Sequence, residues 1–185
     1  QGSTAVAIGS YAGQTTQGDS AVAVGNNAGN TSQGASAVAV GVEAGKTTQK
    51  GLAVAVGYRA GYTTQGIGAV AIGHDTGKTT QGNSAVAVGP YAGEANQATT
   101  AVAVGVEAGK TTQGSAAVAI GRQAGEVTQG GSAVAIGAIA GQTNQAANSI
   151  VINATGAALN NIVEDVFIVK PVRGVAGATL PAGFK

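Results

Sequence analysis

Short runs in which small and β-branched residues alternate recur along the whole chain, as in "SAVAVG" at 20–25 and "GAVAIG" at 68–73. Alternation with period two puts successive side chains on opposite faces of a strand. Each run ends in a glycine, which turns the chain at φ > 0 without steric cost. A second short run, "AGxTTQ", is rich in β-prone Thr, and a following "Gly-x-Ser" turns the chain back. The spacing is fixed. Gln recurs every sixteen residues from Gln1 to Gln145 with no insertion, Gly from Gly9 to Gly137 and again from Gly13 to Gly141, and Val or Ile from Ile8 to Ile152. The consensus S-A-V-A-[VI]-G-x-x-A-G-x-T-T-Q-G-x therefore reads as two short strands and two turns, one coil of a solenoid. Glycine content and alternation both speak against helices.

Equivalent residues of successive coils are expected to stack in parallel about 4.8 Å apart, so about ten coils give a rod of roughly 45–50 Å. On this reading the β-branched columns (Val22/Val24, Val38/Val40 and onward) form a thin core, and the alternate Ala columns form a flat outer face. A flat apolar face of that size is unusual on a monomer. It is expected to be the contact between identical chains in a homotrimer, formed by Ala21, Ala23, Ala37, Ala39, Ala53, Ala55, Ala69, Ala71, Ala85, Ala87, Ala101 and Ala103.

The six-residue core of each coil, with the "xxAG" that follows, closely resembles the head repeats of trimeric autotransporter adhesins, the YadA-like head. The resemblance covers Gln1 to about Thr155 and is weaker in the second strand, and the period of sixteen departs from the family's usual fourteen. It implies a left-handed parallel β-roll, all-β and homotrimeric. Repeats of the "QAGxTxQG" kind are also similar to those of phage and large-virus fibre proteins. There "VFIVKPVRGV" at 166–175 looks like the junction before a self-cleaving C-terminal chaperone domain.

The pattern degrades after Gln145. "NSIVINATGAAL" keeps a strand but puts Ser149 and Val151 in the Ala columns, and Asn153 and Ala157 where the turn glycines stood. Terminal coils of solenoids depart in this way because one face lacks a neighbour. From Asn161 the composition shifts to clustered apolar residues and prolines. We therefore divide the chain into a repeat domain, 1–160, and a C-terminal cap or trimer-locking segment, 161–185. The chain starts in mid-pattern at Gln1, as a segment of a longer protein would.

Composition narrows the function. Charged residues are 9% and aromatics 3%, against about 25% charged residues in ordinary globular chains. The net charge of +1 gives no electrostatic case for nucleic acid or an anionic membrane surface as partner. No apolar run approaches the roughly 18 residues of a membrane span. Cysteine is absent, which removes disulfides and thiolate metal sites.

Candidate chemistry is sparse. "GVEAGKTTQ" at 41–49 and 105–113 invites a phosphate-loop reading, but one residue too few separates its glycines and a strand follows where a helix is required. The position of its Lys also holds Gln14, Asn30, Tyr62 and Glu94 in other coils, as a tolerant exposed site would. His74, the single histidine, has no second nitrogen ligand or fixed nucleophile and reads as a solvated turn residue. Glu43 and Glu107 lie four coils, about 19 Å, apart, too far for paired-carboxylate chemistry. No catalytic, metal or cofactor residues emerge, and no enzyme activity is expected. The paired ranks Thr15/Thr16, Thr47/Thr48, Thr63/Thr64, Thr79/Thr80 and Thr111/Thr112 raise an alternative, an ice-binding solenoid. Breaks at Ala95/Asn96 and Val127/Thr128, and the expectation that one Thr of each pair faces inward, weigh against it.

The expected function is a structural and adhesive segment of an attachment fibre, on a virion or on an extracellular or bacterial cell surface. Its partners would be two further copies of itself and a host-surface glycan or protein receptor. Candidate contacts are the variable turn residues Tyr11, Tyr58, Arg59, Tyr62, His74, Tyr91 and Arg122.

Overall fold

The computed structural model describes residues 1–171, and these form a parallel β-solenoid of about ten coils with no helix among them. The Val-Ala-Val/Ile runs, from Val6–Ile8 to Ile150–Asn153, join Phe167–Lys170 in one eleven-stranded parallel sheet. The register is the sequence period itself, with Val22 opposite Val38, Ala23 opposite Ala39 and Val24 opposite Val40. The Thr-Gln runs make a second parallel stack, five strands from Thr16–Gln17 to Thr80–Gln81. It continues through bridges Gln81–Gln97, Gln97–Gln113 and Gln113–Gln129. Even the turns bond along the rod: Gly13 N–H donates to Ala28 O at 2.9 Å and Gly18 N–H to Gln33 O at 2.7 Å. Most of the backbone is thus satisfied between coils, with longer bonds across the turns within a coil, such as Ala12 N–H to Gly9 O at 3.3 Å.

The two faces of the main sheet are the reverse of the expected ones. Ala21, Ala23, Ala37, Ala39, Ala53, Ala55, Ala69, Ala71, Ala85, Ala87, Ala101 and Ala103 are all fully buried within the single chain, so they form the core and cannot be the surface on which chains meet. The Val and Ile columns point outward and are half-buried or exposed, Ile72 and Ile120 at 40%. The reason is the width of the coil. A methyl group added to Gly45 would lie 3.3 Å from Ala39 Cβ, so the two walls of the coil already touch. Only alanine fits between them. A third buried column, Ala28, Ala44, Ala60, Ala92 and Ala108, fills the corner.

Gln, not Thr, is the inward residue of the second strand. Both Thr of each pair lie outside, exposed at Thr15/Thr16 and half-buried at Thr63/Thr64, which corrects the expectation that one of them faces inward. Each Gln from Gln17 to Gln145 is at most 3% exposed. The Gln49 amide crosses the coil, its Nε2 donating to Val38 O at 2.8 Å, Ala53 O at 3.2 Å and Gln65 Oε1 at 3.0 Å. The same pattern links Gln33 to Gln65 and then Gln81 to Gln145. Between these runs Gln81 Oε1 accepts no hydrogen bond. In that coil Thr76 replaces the corner Ala and donates its hydroxyl to Gly89 O at 2.6 Å. The alanine core divides at the same place, into Ala23–Ala71 and Ala87–Leu159 clusters.

Two glycine columns have separate causes. A Cβ on Gly41, at φ 128°, would meet Gly57 O of the next coil at 2.5 Å. A Cβ on Gly45, at φ 54°, would meet the Gln49 amide at 2.7 Å, so this glycine makes room for the buried Gln four residues later. Each coil also places non-glycine residues at φ near 55°, among them Asn27, Ser36, Leu52, Arg59 and Ile139. The coil-to-coil bonds hold them there, as when Asn27 N–H donates to Ser10 O at 2.9 Å.

At the C-terminal end Ser149 and Val151 do occupy the buried columns. Asn153 donates to Ala138 O at 2.9 Å and Ala157 O at 2.6 Å. Phe167–Lys170 then pairs in parallel with Ile150–Asn153, a step of seventeen instead of sixteen. Within the segment drawn as a cap from residue 161, Phe167–Lys170 thus adds one strand to the solenoid sheet, and residues 172–185 lie outside the described residues.

Replacing Gln65 with Leu removes its hydrogen bonds to Val54 O and Ala69 O and the acceptor of Gln49. It is expected to cost about 2–3 kcal/mol, read from the denaturant midpoint. Ala103→Val overpacks the coil and is expected to cost at least about 1–3 kcal/mol. Had Ala103 lain on the outer face, that change would be nearly neutral.

Candidate binding surface

The first turn of each coil, between the two strands, carries nearly all the varied chemistry. Its three variable columns bring side chains of successive coils within contact of one another, because the rise per coil is only about 4.8 Å. Tyr58 and His74 occupy the same place in adjacent coils and stack, ring centroids 5.2 Å apart and 21° between planes. Tyr91, one coil further on, meets the other side of His74 edge-on at 5.1 Å. The histidine expected as a solvated turn residue is the centre of an aromatic row, with its side chain 46% exposed.

Charged groups flank that row. The Arg59 guanidinium lies over both Tyr58 and Tyr62, at 5.5 and 5.4 Å from the ring centroids. Its Nε stands 3.3 Å from Asp75 Oδ1, and Lys78 Nζ stands 3.6 Å from Asp75 Oδ2 and 3.6 Å from Glu94. The Asp75 side chain is only 8% exposed, and it is the single carboxylate among the buried polar residues of the described chain. Its position in the coil is one of the φ > 0 sites, and Asp75 N–H donates to Tyr58 O at 2.9 Å. The backbone therefore fixes its carboxylate among three cationic or ionisable neighbours.

The Lys of "GKTT" is less free than its sequence column suggests. Lys46 pairs with Glu43 at 2.6 Å and Lys110 with Glu107 at 2.7 Å, both across one turn and both half-buried. The Glu107 carboxyl is held below the ordinary carboxylate range, chiefly by its hydrogen bond from Lys110, and the Lys110 ammonium is raised by the same contact. Lys110 also lies 5.6 Å from the Tyr91 ring centroid, which extends the row by one coil.

Of the seven candidate contacts, five therefore gather in one place: Tyr58, Arg59, Tyr62, His74 and Tyr91. Tyr11 stands apart in the first coil, 59% exposed. Arg122 lies further along the rod beside Gln123, to whose Oε1 it donates at 2.5 Å. Asp75, Lys78, Glu94 and Lys110 were not singled out from the sequence. A signal was present, since each falls in a turn column sixteen residues from an aromatic or an opposite charge. Elsewhere, a shallow groove of about 430 Å³ runs along the Thr ranks between Thr16, Ser32, Thr48, Lys50 and Ile67, without a cluster of ionisable groups. Among the described residues, no three His, Asp or Glu side chains are grouped to hold a metal ion, and no helix could cross a membrane. Comparison with family models, curated proteins and solved structures gave no match.

Removing the buried carboxylate by Asp75→Ala leaves Arg59 and Lys78 facing each other without their shared partner. The expected loss is about 1–2 kcal/mol, smaller at high salt, by thermal or denaturant unfolding. The Glu107–Lys110 contribution runs the other way with pH from a raised acid. Because the folded carboxyl titrates below the unfolded one, its stabilisation is present above about pH 4.3 and is lost as pH falls through the depressed value. Being half-exposed, the pair is worth no more than about 0.5 kcal/mol, and Glu107→Gln should flatten the acid limb by that amount.

Proposed function

We propose that this chain is a stiff structural and adhesive segment of a homotrimeric attachment fibre, on a virion or a cell surface. The observation that carries the reading is the outward Val/Ile face. Two β-branched residues per coil stand on a parallel sheet in unbroken register, an apolar stripe about 50 Å long. A stripe of that length is larger than a soluble monomer ordinarily leaves in water. Three rods packed side by side about a common axis bury it, each chain offering the same columns to the next. The number three, and the adhesive role, come from the resemblance of the repeats to YadA-like heads. The interface, however, is assigned to the β-branched columns, such as Val70, Ile72, Val102 and Val104, instead of to the alanines.

The mechanism follows from rigidity and repetition. Interchain burial and intercoil bonds stiffen the rod, and threefold display multiplies weak contacts through effective concentration. The turn columns that follow each Val/Ile strand carry the exposed, varied groups that would contact a host-surface glycan or protein. No catalytic step is part of this reading.

A second reading keeps one specific support. Since both Thr of each pair lie outside, Thr16, Ser32, Thr48, Thr64 and Thr80 form an outward hydroxyl rank, exposed at Thr16, Ser32 and Thr80 and half-buried at Thr48 and Thr64, of the kind an ice-binding face uses.

Multi-angle light scattering on the purified chain is expected to give about three times 17.5 kDa. Val70→Lys together with Val102→Lys should shift the species to monomer while leaving the β circular dichroism signal. A wild-type chain that runs as a clean monomer at high concentration removes the fibre reading. Thermal hysteresis on the same sample decides the second reading, with none expected.

A further inference from the structure

Aromatic residues are scarce in this protein, four Tyr and two Phe in 185 residues, and there is one His. Three of those four Tyr and the His nonetheless converge on one corner of the rod, within three successive coils. Nothing in the fold requires this. The same columns hold Ser10 in the first coil, Asn26, Asn27 and Asn30 in the second and Ala138 near the end, with the coil geometry unchanged. The aromatic row is also built rather than merely present. Tyr58 stacks on His74 and Tyr91 meets His74 edge-on, Arg59 lies over two rings, and the nine-tenths-buried Asp75 carboxylate stands 3.3 Å from the Arg59 Nε without a hydrogen bond.

We infer that the corner formed by Tyr58, Arg59, Tyr62, His74, Asp75 and Tyr91 is a binding site for an uncharged saccharide chain lying along the rod. The inference rests on the attachment reading and deepens it by naming the receptor chemistry. A pyranose ring offers an apolar C–H face, which packs on aromatic rings, and a rim of hydroxyls, which both donate and accept hydrogen bonds. The site supplies each counterpart: partly exposed Tyr and His rings, a guanidinium beside them, and the Glu94 carboxylate one coil away. Its charges balance. Arg59 and Lys78 face Asp75 and Glu94 in one linked set, and Lys46 and Lys110 each carry their own glutamate. A site without net charge has no long-range attraction for sialylated or sulfated sugars.

Scale favours a sugar over a protein partner. The row is about 15 Å long and sits on a convex corner. A stable protein interface needs roughly 800 Å² from each side with a desolvated apolar centre. The rise of about 4.8 Å per coil is close to the length of one sugar ring, so successive coils meet successive units of a linear chain.

The test uses the full 185-residue chain on an array carrying neutral, sialylated and sulfated oligosaccharides, with its oligomeric mass measured on the same sample. The expected result is binding confined to neutral glycans. Titration with the best neutral oligosaccharide should move the His74 imidazole and Tyr ring signals in NMR spectra. Tyr58→Ala and Tyr91→Ala should each weaken that binding at least about tenfold, and Tyr11→Ala should leave it unchanged. His74→Ala serves as the further variant should either Tyr change alter the circular dichroism spectrum. Absence of neutral-glycan binding, binding only to acidic glycans, capture of a receptor that survives its complete deglycosylation, or full affinity in the well-folded Tyr58 and Tyr91 variants overturns the inference. A trimer that binds no glycan sinks the saccharide site alone, whereas a monomer sinks the attachment reading beneath it.

Discussion

The width of the coil interior governs this structure, and the buried Gln amide sets that width. One side chain per coil reaches from the second sheet to the carbonyls of the first, as Gln49 Nε2 does to Val38 O. Its own oxygen accepts from the Gln of the coil before, and its amide bonds to the coil after. A polar group so buried is tolerable only when its bonds are made, and here the repeat makes them, save at Gln17, Gln33 and Gln81, whose Oε1 has no partner. The two walls are thereby held too close for anything larger than alanine. The glycine four residues before each Gln exists to clear space for the same amide.

Several otherwise odd features of the composition follow from that one constraint. Bulky residues are rare because the interior has no room for them, and three alanines with one Gln are the whole core of a coil. Larger apolar groups enter the core only where the regular coils stop, at Val151 and Leu159. The β-branched residues, displaced outward, still serve the strand through their backbone preference. They leave an apolar stripe that the chain itself does not cover, and the proposed assembly rests on that feature of the fold.

The turns have the opposite character. Coil-to-coil backbone bonds hold them, even with Arg, Asp or Tyr at φ near 55°, so their side chains vary without cost to the core. Where variation has placed Tyr58, His74 and Tyr91 in neighbouring coils, the short rise stacks them. A regular scaffold thus turns separate substitutions sixteen residues apart into one surface.

The sequence by itself determined the period, the register and the parallel stacking, because sixteen-residue spacing without insertion admits one alignment of strands. It also placed "GVEAGKTTQ" at the turn between two strands, where the structure has it. It did not determine which face of the strand points inward. Alternation is symmetric, and the usual preference for burying Val over Ala pointed the wrong way. That choice belonged to the tertiary structure, since it depends on the distance between two sheets, fixed by a Gln whose burial no local pattern announces. The gathering of Tyr58, Arg59, Tyr62, His74 and Tyr91 was half visible, as turn residues in shared columns. Only the stacked coils decided that Asp75 would lie buried beneath them, because contact along the rod joins residues that the chain keeps sixteen positions apart.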